Sequence, residues 1–209
     1  MSRTPEDFVN WLVETFNLKA DDFYDWDNFE QCFGHGCYND FIIETGMTKG
    51  VFVPLHENYV IKVPFDNVDG LMISDFIQRE IEIYNKAKEE ELEKFFLPNI
   101  KIMRAVEHMF YAQEKVQIKF FSDEDSYPPH WVDELLDKCI SEYDCEDTFG
   151  YNSDYWIYDF ITHYGIRNFK KLCQFCREND VIDLHQGNLG YTSSNLPIIV
   201  DYGGIENSF

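Results

Sequence analysis

Asp183-Leu184-His185-Gln186-Gly187-Asn188, followed by Ile199-Val200-Asp201-Tyr202-Gly203, is the stretch that decides how this chain is read. Asp183 and Asn188 stand five positions apart, and Asn188 and Asp201 thirteen. Between them, Leu189-Gly190-Tyr191 and Pro197-Ile198-Ile199-Val200 flank a Ser193-Ser194-Asn195 turn, a pattern that predicts a hairpin. A loop followed by a hairpin brings two carboxylates and an amide to one edge of a small sheet. Phosphoryl transfer from a nucleotide needs such a set. One carboxylate orients or deprotonates the acceptor hydroxyl, and two oxygen ligands hold Mg²⁺ against the phosphates. Gly203, after the second carboxylate, permits a sharp exit.

Working back toward the N-terminus, short β-branched and aromatic runs separated by turn residues predict three antiparallel strands. They are Phe41-Ile42-Ile43, Gly50-Val51-Phe52-Val53 and Tyr59-Val60-Ile61-Lys62-Val63. Ser74 to Glu93 predicts a helix, with Phe76, Ile77, Ile81, Tyr84 and Ala87 near helical spacing and Ser74 or Asp75 as N-cap. Ile100 to Val106 and Met109 to Val116 predict a hairpin around Glu107-His108. Pro5 to Phe16 has helical spacing, with Pro5-Glu6-Asp7 as its first turn. Asp21 to Glu30, acidic and aromatic, shows no period. Beyond Val116, the segments 131–141, 156–163 and 166–177 predict amphipathic helices.

The order D-x-x-x-x-N, hairpin, D-x-G resembles the catalytic loop and metal-binding motif of the protein-kinase superfamily. The resemblance implies an α+β, bilobal kinase-like fold. Residues 41–116 form its N-lobe, five antiparallel strands plus one helix, and 117–209 a truncated, mostly helical C-lobe, with 1–40 as an N-terminal helical extension. It implies Asp183 as catalytic base and Asn188 and Asp201 as Mg²⁺ ligands. Lys62, in the Val60-Ile61-Lys62 strand, falls to the ATP phosphates, with Glu80 or Glu82 as its partner; Glu80 is favoured because Ile81 and Tyr84 then flank it as core positions. Gly46, Thr48 and Gly50 correspond to a reduced glycine loop. Gln113 to Val116, with Glu114 and Val116 facing the adenine edge, corresponds to the hinge.

Two departures stand out. Val181-Ile182 replaces the expected His-Arg, and only Gly204 to Phe209 follow the metal-binding motif, where an activation segment and further helices are expected. The Asp-Leu-His-x-Gly-Asn form is most similar to short phage-encoded serine/threonine kinases. That type implies an ATP- and Mg²⁺-dependent transferase acting on host proteins in the host cytoplasm. A small-molecule kinase and an inactive relative are the alternatives from the same fold.

Composition narrows the partners. The 209 residues carry 39 acidic against 17 basic side chains, a net charge of −22, with 44% hydrophobic and 17% aromatic residues. That apolar content exceeds what disorder allows. So acidic a surface disfavours direct nucleic-acid contact, which depends on Lys and Arg displacing counterions, and anionic membranes likewise. It favours a basic protein partner, and it supports the other functional class: an acidic protein that inhibits a basic, nucleic-acid-binding partner by surface charge. The acid-rich run 122–147 is the candidate docking face. The N-terminal residues show no signal-peptide pattern and no run is long enough to span a membrane, so a cytoplasmic protein is expected. The oligomeric state stays open.

Each site residue has a plainer reading. Lys62 alone reads as an exposed strand end, and Glu80, in a glutamate-rich helix, as part of a solvated face. His185 reads as ordering its own loop. Cys173 and Cys176, three apart on one helix, read as core. Cys32-x-x-His35-x-Cys37 has zinc-like spacing but lacks a fourth ligand.

Overall fold

The computed structural model describes residues 3–34, 38–45, 48–68, 71–72, 74–120, 128–143 and 148–203. Among them the chain is α+β, with a five-stranded antiparallel sheet, two two-stranded sheets and six α-helices. It forms two compact units, residues 1–78 with 98–115, and 79–97 with 116–209. None of the helices is long and apolar enough to cross a membrane.

The first unit opens with α1 (Pro5–Phe16) and α2 (Trp26–Phe33). Thr4 caps α1 through a reciprocal box: its hydroxyl accepts from the Asp7 N–H (3.2 Å), and the Thr4 N–H is donated to the Asp7 carboxylate (3.3 Å). The Thr4 hydroxyl is also donated to the Asp7 carboxylate (2.6 Å), and that bond, with the one from the Thr4 N–H, holds the exposed Asp7 carboxyl below the usual carboxylate range. The segment without sequence period, Asp21 to Glu30, folds as a 3₁₀ turn over Ala20–Phe23 and then the start of α2, capped by Asp25. Two elements this short leave too few turns to show a period.

Strands β1 (Phe41–Thr45), β2 (Lys49–Pro54) and β3 (Tyr59–Pro64) are followed by a small ladder, β4 (Asn67–Val68) with β5 (Leu71–Met72), which the sequence does not announce. Strands β6 (Asn99–Ala105) and β7 (His108–Glu114) complete the main sheet in the order β1-β2-β3-β7-β6. Their connection is Val106-Glu107, one residue earlier than expected. Both residues have positive φ (46° and 64°), as the right-handed twist of a two-residue hairpin demands.

Register divides the sheet into two faces. Ile43 lies opposite Phe52, Phe52 opposite Ile61 and Ile61 opposite Ala112, so these share one face with Phe41, Gly50 and Val63. The first two helices cover it: Phe8, Trp11 and Phe16 pack on Phe41, and Phe29 and Phe33 on Phe52. Residues 5–33 therefore supply Phe8, Val9, Leu12, Leu18, Phe23, Phe29 and Phe33 to this unit's core. The opposite face carries Val51, Lys62 and Tyr111 in successive cross-strand pairs.

Helix α3 (Ser74–Glu89) passes from the first unit into the second at Gln78–Arg79. It is four residues shorter than expected. Glu91 adopts a left-handed φ of 60°, the Leu92 N–H reaches back to the Ala87 carbonyl (2.7 Å) and the Glu91 N–H to that of Lys88 (3.3 Å), a Schellman ending with glutamate in the glycine position. Helix α3 begins at Ser74, so its N-cap lies outside the described residues.

The second unit packs α4 (Trp131–Tyr143), α5 (Asp154–Tyr164) and α6 (Ile166–Glu178) around a core of Trp156, Ile157, Phe160, Phe169, Leu172 and Phe175, with Ile83, Phe95 and Phe96. Cys139, Cys173 and Cys176 are buried there as core residues. The hairpin β8 (Leu189–Tyr191) and β9 (Pro197–Ile199) closes the unit. The unit boundaries separate Val116 from Lys115 and join the N-terminal extension to the strands.

Candidate functional site

In the second unit the loop before β8 is pinned by what it buries. Val181, Leu184 and Leu189 are 0–2% exposed and insert into the core. Their spacing turns the residues between them outward: Asp183 is exposed, with its backbone in the left-handed region (φ 61°). A strained, outward-facing carboxylate on an anchored loop is the kind of feature that structure maintains for use.

Asn188 ties the three predicted residues together. Its side-chain amide is donated to the Asp183 carbonyl (2.7 Å), and its N–H to the His185 carbonyl (2.8 Å), closing a 3₁₀ turn over Gln186–Asn188. Its own carbonyl accepts from Val200 N–H (2.9 Å) and Asp201 N–H (3.4 Å). With the amide nitrogen committed, the oxygen of the Asn188 side chain is the atom left to ligate. Tyr202 anchors the far end: its buried ring packs edge-on against Phe96 and its hydroxyl is donated to the Leu97 carbonyl (2.8 Å). Asp201 is thereby held next to Asn188. The exit beyond Gly203 lies outside the described residues.

His185 does order its own loop. Its Nδ1 accepts the Gly187 N–H (3.0 Å), and Nε2 lies 3.9 Å from an Asp183 carboxylate oxygen. Apart from one glycine, no residue pattern announces the strip that backs this loop. Thr148 O accepts from Leu184 N–H (2.8 Å), Tyr151 O from Gln186 N–H (3.3 Å), and the Tyr151 ring lies flat on His185, with centroids 5.0 Å apart and planes 6° from parallel. Gly150 was the one available signal: a Cβ there would sit 2.9 Å from that of His185.

Glu80 lies on the inward face of α3 with Ile83 and Ala87 and is fully buried, whereas Glu82 is exposed. That removes the solvated-face reading. The expected flanks are corrected: Ile81 and Tyr84 are half-buried, and Ile83 is the deep neighbour.

In the first unit Lys62 is 5% exposed, so it is no solvated strand end; its ammonium lies 5.9 Å from the Tyr111 ring centroid. Thr48 is half-buried at the mouth of the β1–β2 hairpin, and Gly46 lies outside the described residues. Gly50 has a packing reason for its missing side chain, since a Cβ would collide with the Phe29 ring. At the end of β7 the Lys115 N–H is donated to the Asn58 carbonyl (2.8 Å). Alternation of the antiparallel ladder then turns the backbone groups of Glu114 away from β3. His35 and Cys37 lie outside the described residues, among which no three potential metal ligands cluster. Of the acid-rich run, 122–127 and 144–147 also lie outside.

No family model matches the sequence. No curated protein matches it either. Among solved structures it is similar to that of WbdD with the kinase inhibitor LY294002, at 14% identity and a TM-score of 0.35. The match covers 81% of this chain and 35% of that one, so the chain spans about a third of that protein's length.

Proposed function

We propose that this chain is an ATP- and Mg²⁺-dependent phosphotransferase of minimal kinase-like, bilobal design, similar to short phage-encoded kinases and acting on serine or threonine hydroxyls of host proteins in the cytoplasm. Asp183 orients and deprotonates the acceptor hydroxyl. Asn188, through its side-chain oxygen, and Asp201 are the ligands for Mg²⁺, and one amide with one carboxylate leaves room for the waters and phosphate oxygens that ion keeps. Mg²⁺, when bound, neutralises phosphate charge. Lys62 takes the ATP phosphates with Glu80 as its partner, Thr48 and the Gly46–Gly50 turn cover them, and the backbone of Glu114 and Val116 takes the adenine edge.

One observation carries this reading: Asn188 bonds the Asp183 carbonyl through its side chain and the Asp201 amide through its backbone. Burial of Lys62 and Glu80 supports it, because chains seldom bury either charge without a use. The test is transfer from γ-labelled ATP with Mg²⁺, with and without bacterial lysate, beside Asp183→Asn. Label on lysate proteins that vanishes in the variant upholds the reading; label only on an added small hydroxyl compound makes it a small-molecule kinase.

The net charge of −22 favours a second reading, an inactive acidic protein that masks a basic, nucleic-acid-binding partner. That activity would fade steeply between low and physiological salt, while nucleotide binding would follow Mg²⁺.

A further inference from the structure

We propose that Tyr151 and His185 form a positioning pair that sets the orientation of the Asp183 carboxylate; the proposal rests on the phosphotransferase reading. The backbone of Asp183 is fixed, since its carbonyl accepts both the Asn188 side-chain amide (2.7 Å) and the His185 N–H (2.9 Å). What remains undetermined by the backbone is the carboxylate rotamer, and 65% of that side chain is exposed.

His185 is placed to determine it. Because Nδ1 accepts the Gly187 N–H, a neutral ring carries its hydrogen on Nε2. That donor lies 3.9 Å from the Asp183 carboxylate, a gap that a modest side-chain rotation closes to hydrogen-bond distance. The ring cannot turn away easily. Tyr151 covers one face, and Cβ atoms at Gly150 and Gly187 would come within 3 Å of His185. Tyr151 is itself 64% exposed, so it adds little to the core, and its flat contact with His185 is what its ring does. The same residues account for the strip 148–151: its backbone bonds to Leu184 and Gln186 hold Tyr151 over the loop.

The experiment measures steady-state transfer from γ-labelled ATP to the acceptor that the wild-type chain labels, for Tyr151→Ala, Tyr151→Phe, His185→Ala and His185→Asn. Ring ¹⁵N shifts of His185 are recorded in the unliganded protein. We expect His185→Ala to lower kcat by about 10–100-fold, in line with small misplacements of a reacting group, and Tyr151→Ala by somewhat less. The KM for ATP should hold, and Tyr151→Phe should match wild type. His185→Asn keeps an acceptor for the Gly187 N–H, but its amide N–H sits closer to the backbone than the Nε2 donor it replaces and falls short of the Asp183 carboxylate, so its kcat should fall while its Tm does not. The ring should show an unprotonated Nδ1 and a protonated Nε2, a pattern blurred in Tyr151→Ala. An active wild type whose Tyr151→Ala and His185→Asn variants keep full kcat overturns the pair, as does a proton on Nδ1. A wild type that transfers no phosphate overturns the phosphotransferase reading itself, and the pair with it.

Discussion

The sheet that carries Lys62 and the loop that carries Asp183 are held in place by different forces. Around the first, eleven aromatic rings from Phe8 to Phe65 interlock, and Phe29 alone touches Phe23, Phe33, Phe52 and Phe65. Around the second, backbone and amide hydrogen bonds converge on Asn188, and Asp183 is exposed and strained. Ring packing derives its strength from area, which a neighbour can partly restore after a substitution. A hydrogen-bonded loop derives its accuracy from each bond. The first arrangement suits a scaffold, the second a site.

The largest effect should fall on the scaffold. Phe29→Ala removes a fully buried ring and should cost about 3–5 kcal/mol in urea denaturation. Gly50→Ala, which drives a methyl into that ring, should cost about 1–3 kcal/mol. The two changes share one space, so the double variant should cost clearly less than their sum. If Gly50→Ala leaves stability untouched and abolishes ATP binding, the glycine serves a bound phosphate and not the ring, and the contrast between the two regions breaks there.

That contrast also explains what was legible in the sequence. Asp183, Asn188 and Asp201 could be read because a loop and hairpin fix their separation along the chain, and the backbone keeps that separation in space. Strands β1, β2 and β3 could be read because each is a run of β-branched or aromatic residues between turns. The partnership of Phe29 with Gly50 could not, because twenty-one positions separate them and the intervening elements are too short for a period. Tyr151 was illegible for a related reason: its role comes from a strip of irregular backbone beside the loop, and irregular backbone has no pattern. Val106-Glu107 misled by one residue, since neither favours the left-handed conformation that both adopt.

That hairpin gives the next effect in size. A β-branched residue at φ 46° followed by glutamate at 64° is costly, and the Asn-Gly pair suits such a turn. The double replacement Val106→Asn, Glu107→Gly should raise stability by about 2 kcal/mol, from a left-handed penalty of about 1–2 kcal/mol at each position less the entropy of glycine. The denaturation midpoint should rise with an unchanged slope. Because the turn joins scaffold strands, nucleotide affinity should stay where it was. A gain in stability accompanied by weaker ATP binding would show that the strained turn serves the site.

Alkaline pH offers a smaller effect, one that both regions share. The Tyr59 hydroxyl is donated to the Arg3 carbonyl (3.0 Å), and burial, aided by the Glu57 carboxylate, pushes its pKa up to about 12. Unfolded, it titrates near its ordinary value of about 10. Below that pH neither state ionises and its contribution is fully present. As pH rises from about 10 toward 12 the unfolded chain loses the proton first, and stability falls. Tyr59→Phe should cost about 1 kcal/mol at neutral pH for the lost hydrogen bond and should flatten that alkaline decline. The decline should not vanish, because burial and the bond to Asp159 raise Tyr191 in the second unit as well. Denaturation at pH 8, 10 and 11 measures both shares; a decline that Tyr59→Phe leaves unchanged would assign it to other groups, with Tyr191 and the half-buried Cys32 thiol among them.

The smallest change in stability should carry the clearest meaning. Asp183 holds φ at 61°, a conformation aspartate tolerates better than most residues but glycine adopts without penalty. Asp183→Gly should therefore raise stability by about 0.5–1 kcal/mol, the relief of strain reduced by the entropy glycine loses on folding. Asp183→Asn, nearly isosteric, should leave stability near wild type. Both should abolish phosphate transfer. A residue that destabilises its own loop and whose removal stops the reaction is retained for chemistry, since selection for the fold alone would favour glycine there. If Asp183→Gly is less stable than wild type, the left-handed turn depends on the aspartate side chain, and the loop would belong with the scaffold rather than with the site.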